Sequence, residues 1–310
     1  MIESLKDLDI QLDGKLNLMY GNYIDVIMHL KKEYGFNAIY CNTDYSPYAK
    51  KRESDIYKWC KSNGVEFHAM HDITLLPPGK AMNKQGKPFM VYTPFYNECT
   101  KYRVDDLVNP GKFSNFVKLQ NDKMQIDFKE TERFYQFNEM LACNGGRKNG
   151  LAILRTYDPT TYQKVRDDLS QGQTRTSSLS PYIKFGCISI REAYHQLNVP
   201  GGVAMIKQLF WRDYFIMLGK LFLRHASIDN HLLGHFFPHT LGAPLKPQFG
   251  NIKWNDDDAY FQLWCEGRTG FPVIDAAMTE LNTTGKYFLL LLQRLDFWHT
   301  IYVPSSQTNF

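Results

Sequence analysis

The feature that most constrains the fold is the hydrophobic pattern, which changes in the middle of the chain. Up to about Asn109, helical and extended patterns alternate, and the short apolar runs Asn37–Cys41 and Val65–His68 predict strands. The segments Asp25–Tyr34 and Glu53–Asn63 are amphipathic and predict helices. Strands that alternate with helices of this length predict a parallel α/β sheet.

One further strand of this first part is predicted at Pro88–Thr93. After Asn109 the pattern changes, and the apolar periodicity weakens over residues 110–150, which end in NGGRKNG. Beyond this segment the pattern is helical, and Ala204–Leu223 predicts a long, mostly apolar helix. We therefore predict an α/β domain over residues 1–109, a linker over residues 110–150 and an all-α domain over residues 151–310.

Composition limits the class of protein. A chain of 310 residues with 44% hydrophobic and 22% charged residues has the composition of a globular protein. Its formal net charge is only +4, so a nucleic-acid partner requires a local basic surface. The six cysteines form no C-x-x-C pair, which indicates reduced thiols. Since we find no signal peptide or membrane-spanning segment, we expect a soluble intracellular protein, cytoplasmic or nuclear.

The stretch TRTSSLSPYIKFG, residues 174–186, concentrates hydroxyl side chains before a proline. Ser180 followed by Pro181 predicts a helix N-cap with proline in the first helical position. Such a helix end carries unpaired N–H groups and a partial positive charge, so it can bind an anion. Further hydroxyl donors come from Thr176, Ser177 and Ser178. A capped helix behind a polar loop and a phosphate site both explain these residues.

A second stretch, QLFWRDYF, carries pairs at helical spacing. Gln208 and Arg212 are four residues apart, as are Trp211 and Phe215, so each pair lies on one side of a helix. A large ring beside a guanidinium can stack on a base while pairing with a phosphate. An amphipathic helix with a core tryptophan and a solvated arginine explains the same spacing.

Together with WCEGRTGFPVIDAAMTELNTTG, these stretches resemble the DNA photolyase/cryptochrome family. ESLKDLDIQL, NTDYSPYAKKRESDIYKWC and HDITLLPPGKAMNKQGKPFMVYTPF are similar to the antenna domain of that family. The resemblance implies an α/β antenna-type domain with an incomplete Rossmann-like parallel sheet, followed by an incomplete all-α FAD-binding domain. It implies an FAD-dependent carbon–carbon lyase, a deoxyribodipyrimidine photo-lyase, that uses light to repair cyclobutane pyrimidine dimers in DNA.

The resemblance also implies roles for individual residues. Trp211 matches the tryptophan that stacks on the flipped dimer, and Trp254 matches the surface end of the tryptophan chain that photoreduces the flavin. The cofactor-binding residues that it implies are Tyr162, Thr176, Ser177, Ser178, Leu179, Ser180 and Arg212. The implied DNA-binding residues are Arg166, Gln208, Trp211 and Arg212. No metal is implied, and the antenna chromophore stays unknown.

Departures from the family pattern qualify these roles. The chain starts inside the family's first domain, and its similarity stops near Gly285, before the family's M-H-N-R segment. We therefore expect a chain truncated at both ends, with FAD binding weak or lost and repair impaired, unless a separately encoded fragment complements it. Gln208 replaces the glutamate of many photolyases and slightly favours a cryptochrome-like blue-light flavoprotein. A degenerate member without catalysis is the other alternative.

Overall fold

The structure, a computed structural model, describes residues 1–108, 115–166, 168, 176–222 and 257–286. The chain divides into two compact units, each taken here within its described residues. The first contains Met1–Tyr135 and Gly145–His225, and the second contains Gln136–Asn144 and Ala226–Phe310.

The first part of the first unit contains both helices and strands. In chain order they are α1 (Ile2–Gln11), β1 (Leu18–Met19), α2 (Tyr23–Tyr34), β2 (Ala38–Asn42), α3 (Pro47–Ser62), β3 (Glu66–Met70), α4 (Tyr92–Cys99), β4 (Gln125–Ile126) and a 3₁₀ helix, Glu130–Phe134. The second part of this unit contains α5 (Arg147–Thr156), α6 (Tyr162–Val165), α7 (Ser180–Lys184), α8 (Ile190–Leu197) and α9 (Val203–Phe222). The described helices of the second unit are α10 (Asp258–Cys265) and α11 (Pro272–Thr284).

The predicted parallel pairing is present between β2 and β3, with Ala38 opposite Glu66 and Asn42 opposite Met70. The crossover helix α3 begins before the predicted Glu53, because Ser46 caps it and Pro47 occupies its first turn. A core beneath this pair contains Ile56, Cys60 and Val65, with Tyr23, Ile24, Ile27, Phe36, Ile39, Trp59 and Phe67 packed against it. The βαβ arrangement was therefore predictable from the pattern, although the helix boundary was not.

The strand predicted at Pro88–Thr93 is wrong. Helix α4 begins at Tyr92, inside that segment, and residues 88–91 form no strand. The prediction relied on the β-prone side chains of this stretch, but Pro94 follows closely and fits the first turn of a helix. A proline there needs no N–H partner, so the chain can enter a helix at this point.

Within the described residues, every regular element beyond residue 150 is a helix, as the sequence predicts for this part of the chain. Helix α9 packs against α4, α6 and α8. Its buried positions are Met205, Ile206, Leu209, Phe210, Asp213, Tyr214, Met217 and Leu218. They recur at the three- and four-residue spacing of one helix face, and all but one are apolar. The predicted domain boundaries at residues 109 and 150 stay predictions.

In the second unit, Asp257 caps α10 by accepting from the N–H groups of Ala259 and Tyr260. The Asp275 carboxylate of α11 accepts from the Thr269 N–H at 2.7 Å and the Gly270 N–H at 3.0 Å, which fixes the turn between the two helices. No helix in the described part of the chain combines the length and the low polarity that a membrane crossing requires.

Candidate functional site

The predicted site residues fall on three described stretches of the first unit. Tyr162 and Arg166 lie on α6 and at its end, Thr176, Ser177, Ser178, Leu179 and Ser180 lead into α7, and Gln208, Trp211 and Arg212 lie on α9. Trp254 lies outside the described residues, so its role stays a prediction. Helix α6 packs against α9, so two of the three stretches are brought together.

The residues Thr176–Ser180, here called the hydroxyl loop, form a turn. Ser178 has a φ of 52°, in the left-handed region that residues with a β-carbon rarely adopt. Ser177 and Leu179 on either side of it are buried, while Ser180 is exposed. The Ser177 hydroxyl accepts from the Leu179 N–H at 3.4 Å, a local bond that serine often makes in turns.

The prediction that Ser180 is the N-cap of the following helix is wrong. Ser180 is the first helical residue, and Leu179 stands at the cap position with a φ of −80° and a ψ of −14°. Because Leu179 already has helical dihedral angles, the helix starts one residue earlier than the serine–proline pattern indicates. The Ser180 hydroxyl is therefore on the exposed surface of the first turn instead of being used as a cap.

A buried tyrosine, Tyr162, begins α6, and a half-buried one, Tyr157, precedes it. Tyr162 is 6% exposed, and the Arg166 guanidinium lies 5.8 Å from the centre of its ring. The hydroxyl of Tyr157 is buried and has no hydrogen-bond partner within the described residues. Burial, and to a smaller extent Tyr162 and Asp158, raise the pKa of Tyr157 to about 12, so it stays a protonated donor. A buried hydroxyl without a partner is uncommon, and it is able to donate to a bound ligand.

The Trp211 ring is held in an aromatic stack. Its centre lies 3.6 Å from that of Tyr92 with the planes 7° apart, and 5.5 Å from that of Phe215. Tyr92 is itself fixed, because its hydroxyl donates to the Lys207 carbonyl at 2.7 Å. Tyr92 therefore covers one face of Trp211. The sequence predicted the Trp211–Phe215 contact from helical spacing, but it gave no indication of Tyr92, which comes from α4.

The neighbouring Arg212 points toward the loop that follows β3. Its Nη1 donates to the carbonyl of Ile73. Asp213, which is 4% exposed, accepts through Oδ2 from the N–H of Leu75 at 2.7 Å and of Leu76 at 3.4 Å. Burial lowers the pKa of Arg212 and raises that of Asp213 to about 7. Gln208 is half-buried on the same helix.

Asp213 is a site residue that the sequence analysis missed. The pattern did contain a signal for it, because a single acidic residue stands among the apolar positions of a predicted long helix. A carboxylate in such a position is rarely buried unless it has partners. Its partners come from a loop that is 138 residues away in the chain, so spacing alone could not identify them.

A separate cleft of about 620 Å³ lies in the first unit. It is lined by Met82, Asn83, Lys84, Gln85, Phe89, Pro94, Asn97, Glu98 and Lys101. None of the predicted site residues lines this cleft. Among the described residues, no cluster of His, Cys, Asp and Glu side chains could hold a metal ion.

Two family profiles match the chain in order. The profile for DNA photolyase matches residues 1–111, and the profile for the FAD binding domain of DNA photolyase matches residues 205–288, together more than half of the chain. The second match includes α9 from Met205 onward, with Trp211 and Arg212. The chain belongs to the DNA photolyase/cryptochrome family.

Curated members of the photolyase/cryptochrome family with different names are similar to this chain. Cryptochrome-2 of Gallus gallus is 28% identical in an alignment that covers 92% of this chain and 51% of that protein. The deoxyribodipyrimidine photo-lyase of Vibrio cholerae is 26% identical over 84% of this chain and 54% of that protein. The chain thus spans about half the length of the curated relatives it matches. These names do not separate DNA repair from light signalling.

Solved photolyase structures have the same fold. The archaeal photolyase of Sulfolobus tokodaii, whose crystal structure holds two FAD molecules, matches with a TM-score of 0.71 and 29% identity over 96% of this chain and 62% of that one. A class III photolyase of Agrobacterium tumefaciens matches with a TM-score of 0.77 over 97% of this chain and 63% of that one. At 20% identity the second likeness concerns the fold alone. The order of an α/β part and a helical part is that of these photolyases.

Proposed function

We propose that this photolyase-family chain binds FAD and DNA, and that the whole protein repairs pyrimidine dimers with light. The observation that carries the proposal is the geometry of α9, within the segment matched by the FAD-binding profile. There the Trp211 ring is fixed against Tyr92 and lies next to Arg212 in the sequence. A rigid ring beside a cation is the combination that recognises an unstacked base and its phosphate.

The described residues fit a flavin dinucleotide. The hydroxyl loop offers Thr176, Ser178 and Ser180, none of them buried, around a left-handed turn where strain of this kind is typical of ligand-binding loops. The unpartnered hydroxyl of Tyr157, close to Tyr162, adds a buried donor. When bound, FAD supplies light absorption and electron transfer, while these residues hold and orient it.

The DNA side of the proposal involves Arg166, Gln208, Trp211 and Arg212. A dimer disturbs base stacking, so it leaves the duplex at a lower cost than an intact pair of bases. The flipped bases would stack on the part of the Trp211 ring that Tyr92 and Phe215 leave exposed. Arg166 supplies a cation at the end of α6, which packs against α9.

Binding to DNA duplexes with and without one thymine dimer tests this proposal. The chain should bind the damaged duplex more tightly, and Trp211→Ala should remove most of that preference. Arg166→Ala should weaken binding to both duplexes equally and reduce the salt dependence by about one phosphate contact. Phe134→Ala, an exposed ring of the 3₁₀ helix, is the control for aromatic truncation. Equal affinity for the two duplexes would contradict the proposal.

The second candidate function is light sensing without repair, which Gln208 favours. A repair assay under blue light separates the candidates. Repair by the FAD-loaded chain, with or without prior reduction by dithionite, supports the lyase. A light-driven change of flavin redox state without repair supports the sensor, and neither response supports a degenerate member. Such repair by the chain alone would also contradict the expectation that repair is impaired in this chain. The comparisons give no support for a complementing fragment.

A further inference from the structure

The loop that follows β3, residues 72–78, is held by side chains of α8 and α9. The Asp72 carboxylate pairs with Arg191, the Ile73 carbonyl accepts from Arg212, and the Pro78 carbonyl accepts from Lys220 at 3.3 Å. Asp213 binds the middle of the loop through the N–H groups of Leu75 and Leu76. We call residues 72–78 the clamped loop. Through these side-chain contacts, the clamped loop links the α/β part of the first unit to α9, the helix that carries Trp211 and Arg212.

Asp213 differs from the other three side chains because it is buried. It is 4% exposed, and the leucines that it binds are 1% and 6% exposed. Its Oδ2 receives both N–H groups, while Oδ1 has no hydrogen-bond partner among the described residues and lies 3.7 Å from Nη1 of Arg212. Water cannot readily replace a buried acceptor of this kind, so its removal leaves two buried donors unpaired.

We propose that Asp213 is a positioning residue: by fixing the clamped loop, it places the Ile73 carbonyl that orients the Arg212 guanidinium beside Trp211. The geometry supports this order of action, because Arg212 bonds to the loop at Ile73 and Asp213 holds the same loop two residues further on. The inference rests on the proposed function only for the roles of Arg212 and Trp211. The orientation of the loop can be tested without FAD or DNA.

The charge of Asp213 adds a pH dependence. The groups that face it are Arg212 on its own helix, Tyr45 before α3 and Cys99 on α4, together with the two loop N–H groups. Burial is the largest effect and raises the folded-state pKa of Asp213 to about 7, from the ordinary aspartate value of 3.8. A raised carboxyl pKa gives a contribution to stability that is complete below the unfolded value and is lost as the pH rises through 7.

Hydrogen exchange at the amides of Leu75 and Leu76 tests the positioning role. Asp213→Ala should increase their exchange rates by at least about tenfold, the effect of losing one buried hydrogen bond. Asp213→Asn keeps an acceptor oxygen and should retain most of the protection. The matched control is Asp55→Asn, which changes a carboxylate bonded to Tyr23 elsewhere in the unit and should leave these amides unchanged. Unchanged protection in Asp213→Ala would overturn the proposal.

The Arg212 side chain gives the second readout. The guanidinium N–H signals of Arg212 can be assigned in nitrogen NMR spectra by their loss in Arg212→Lys. These protons should exchange slowly with solvent in the wild type and in Asp213→Asn, but rapidly in Asp213→Ala. Arg212→Lys should leave the Leu75 and Leu76 amides protected, since Asp213 holds them independently. Fast Arg212 exchange in the wild type would contradict the orientation that we infer.

If Asp213→Ala does not fold, the exchange of the Arg212 guanidinium in the wild type and in Asp213→Asn decides, and the pH profile of Asp213→Asn separately checks the burial of the carboxyl. Relative to Asp213→Asn, the wild type should lose stability between pH 4 and pH 7, by at most about tenfold in the folded-to-unfolded ratio per pH unit. A constant difference between the two proteins across this range would show that Asp213 does not have the raised pKa of a buried carboxyl. These experiments use no ligand, so they can fail or succeed separately from the DNA-binding test of the proposed function.

Discussion

At the scale of single residues, the account depends on side chains whose geometry is unusual for their type. Ser178 is one of them, because a serine in the left-handed region costs roughly 1–2 kcal/mol relative to the ordinary regions. The sequence predicted a concentration of hydroxyl groups at this loop but could not predict that one of them adopts this conformation. Nothing in the spacing of serines specifies the sign of φ.

The strain at Ser178 predicts opposite effects of two substitutions. Ser178→Gly should raise the free energy of unfolding by about 0.5–1 kcal/mol, because glycine adopts this φ without a steric penalty. Ser178→Val should lower it, since β-branched residues tolerate this region least. Urea unfolding with an unchanged m-value measures both effects. Ser180→Gly is the control: Ser180 lies in helix α7, so glycine there should lower the free energy of unfolding. A less stable Ser178→Gly would show that the turn is not strained.

At the scale of secondary structure elements, the sequence predicted α2, α9 and the β2–β3 pair closely. Their apolar periodicities are strong: α9 buries one face, and α2 and the two strands pack partly buried apolar side chains against a small core. The predictions that are wrong, a strand at residues 88–93 and a cap at Ser180, concern short segments where tertiary contacts decide the conformation. The contacts of the site itself, Tyr92 on Trp211 and Asp213 on Leu75, join distant parts of the chain, so no local pattern encodes them.

The packing of α5 gives a prediction at this scale. A β-carbon at Gly150 would come within 2.8 Å of the Tyr182 ring and 2.9 Å of the Ile188 side chain. Gly→Ala usually stabilises a helix interior by about 1 kcal/mol. In Gly150→Ala the overpacking should outweigh this gain and lower the free energy of unfolding by about 1–3 kcal/mol. Lys148→Ala, at an exposed position of α5, should change it by less than about 0.5 kcal/mol. A stabilised Gly150→Ala would contradict the close packing of α5.

At the scale of the whole molecule, the sequence motifs predicted the family, and the two profile matches confirm it. The order of an α/β part and a helical part follows from the change of pattern along the chain and agrees with the solved photolyases. What the family does not decide is the activity, because photolyases and cryptochromes share the fold and match this chain alike. That decision depends on the chemistry of the site.

The most direct test of the central claim is the visible absorption spectrum of the purified 310-residue chain after loading with FAD and removal of free flavin. The proposed function predicts that flavin stays bound, in contrast to the weak or lost binding that we expect from the sequence alone. Thr176→Ala and Ser180→Ala together should weaken binding by at least about tenfold, since each hydroxyl would lose a hydrogen bond to a charged phosphate. Thr156→Ala, which removes a hydroxyl bonded within α5, should bind FAD as the wild type does. A protein that retains no flavin, or equal affinity in all these variants, would contradict the account.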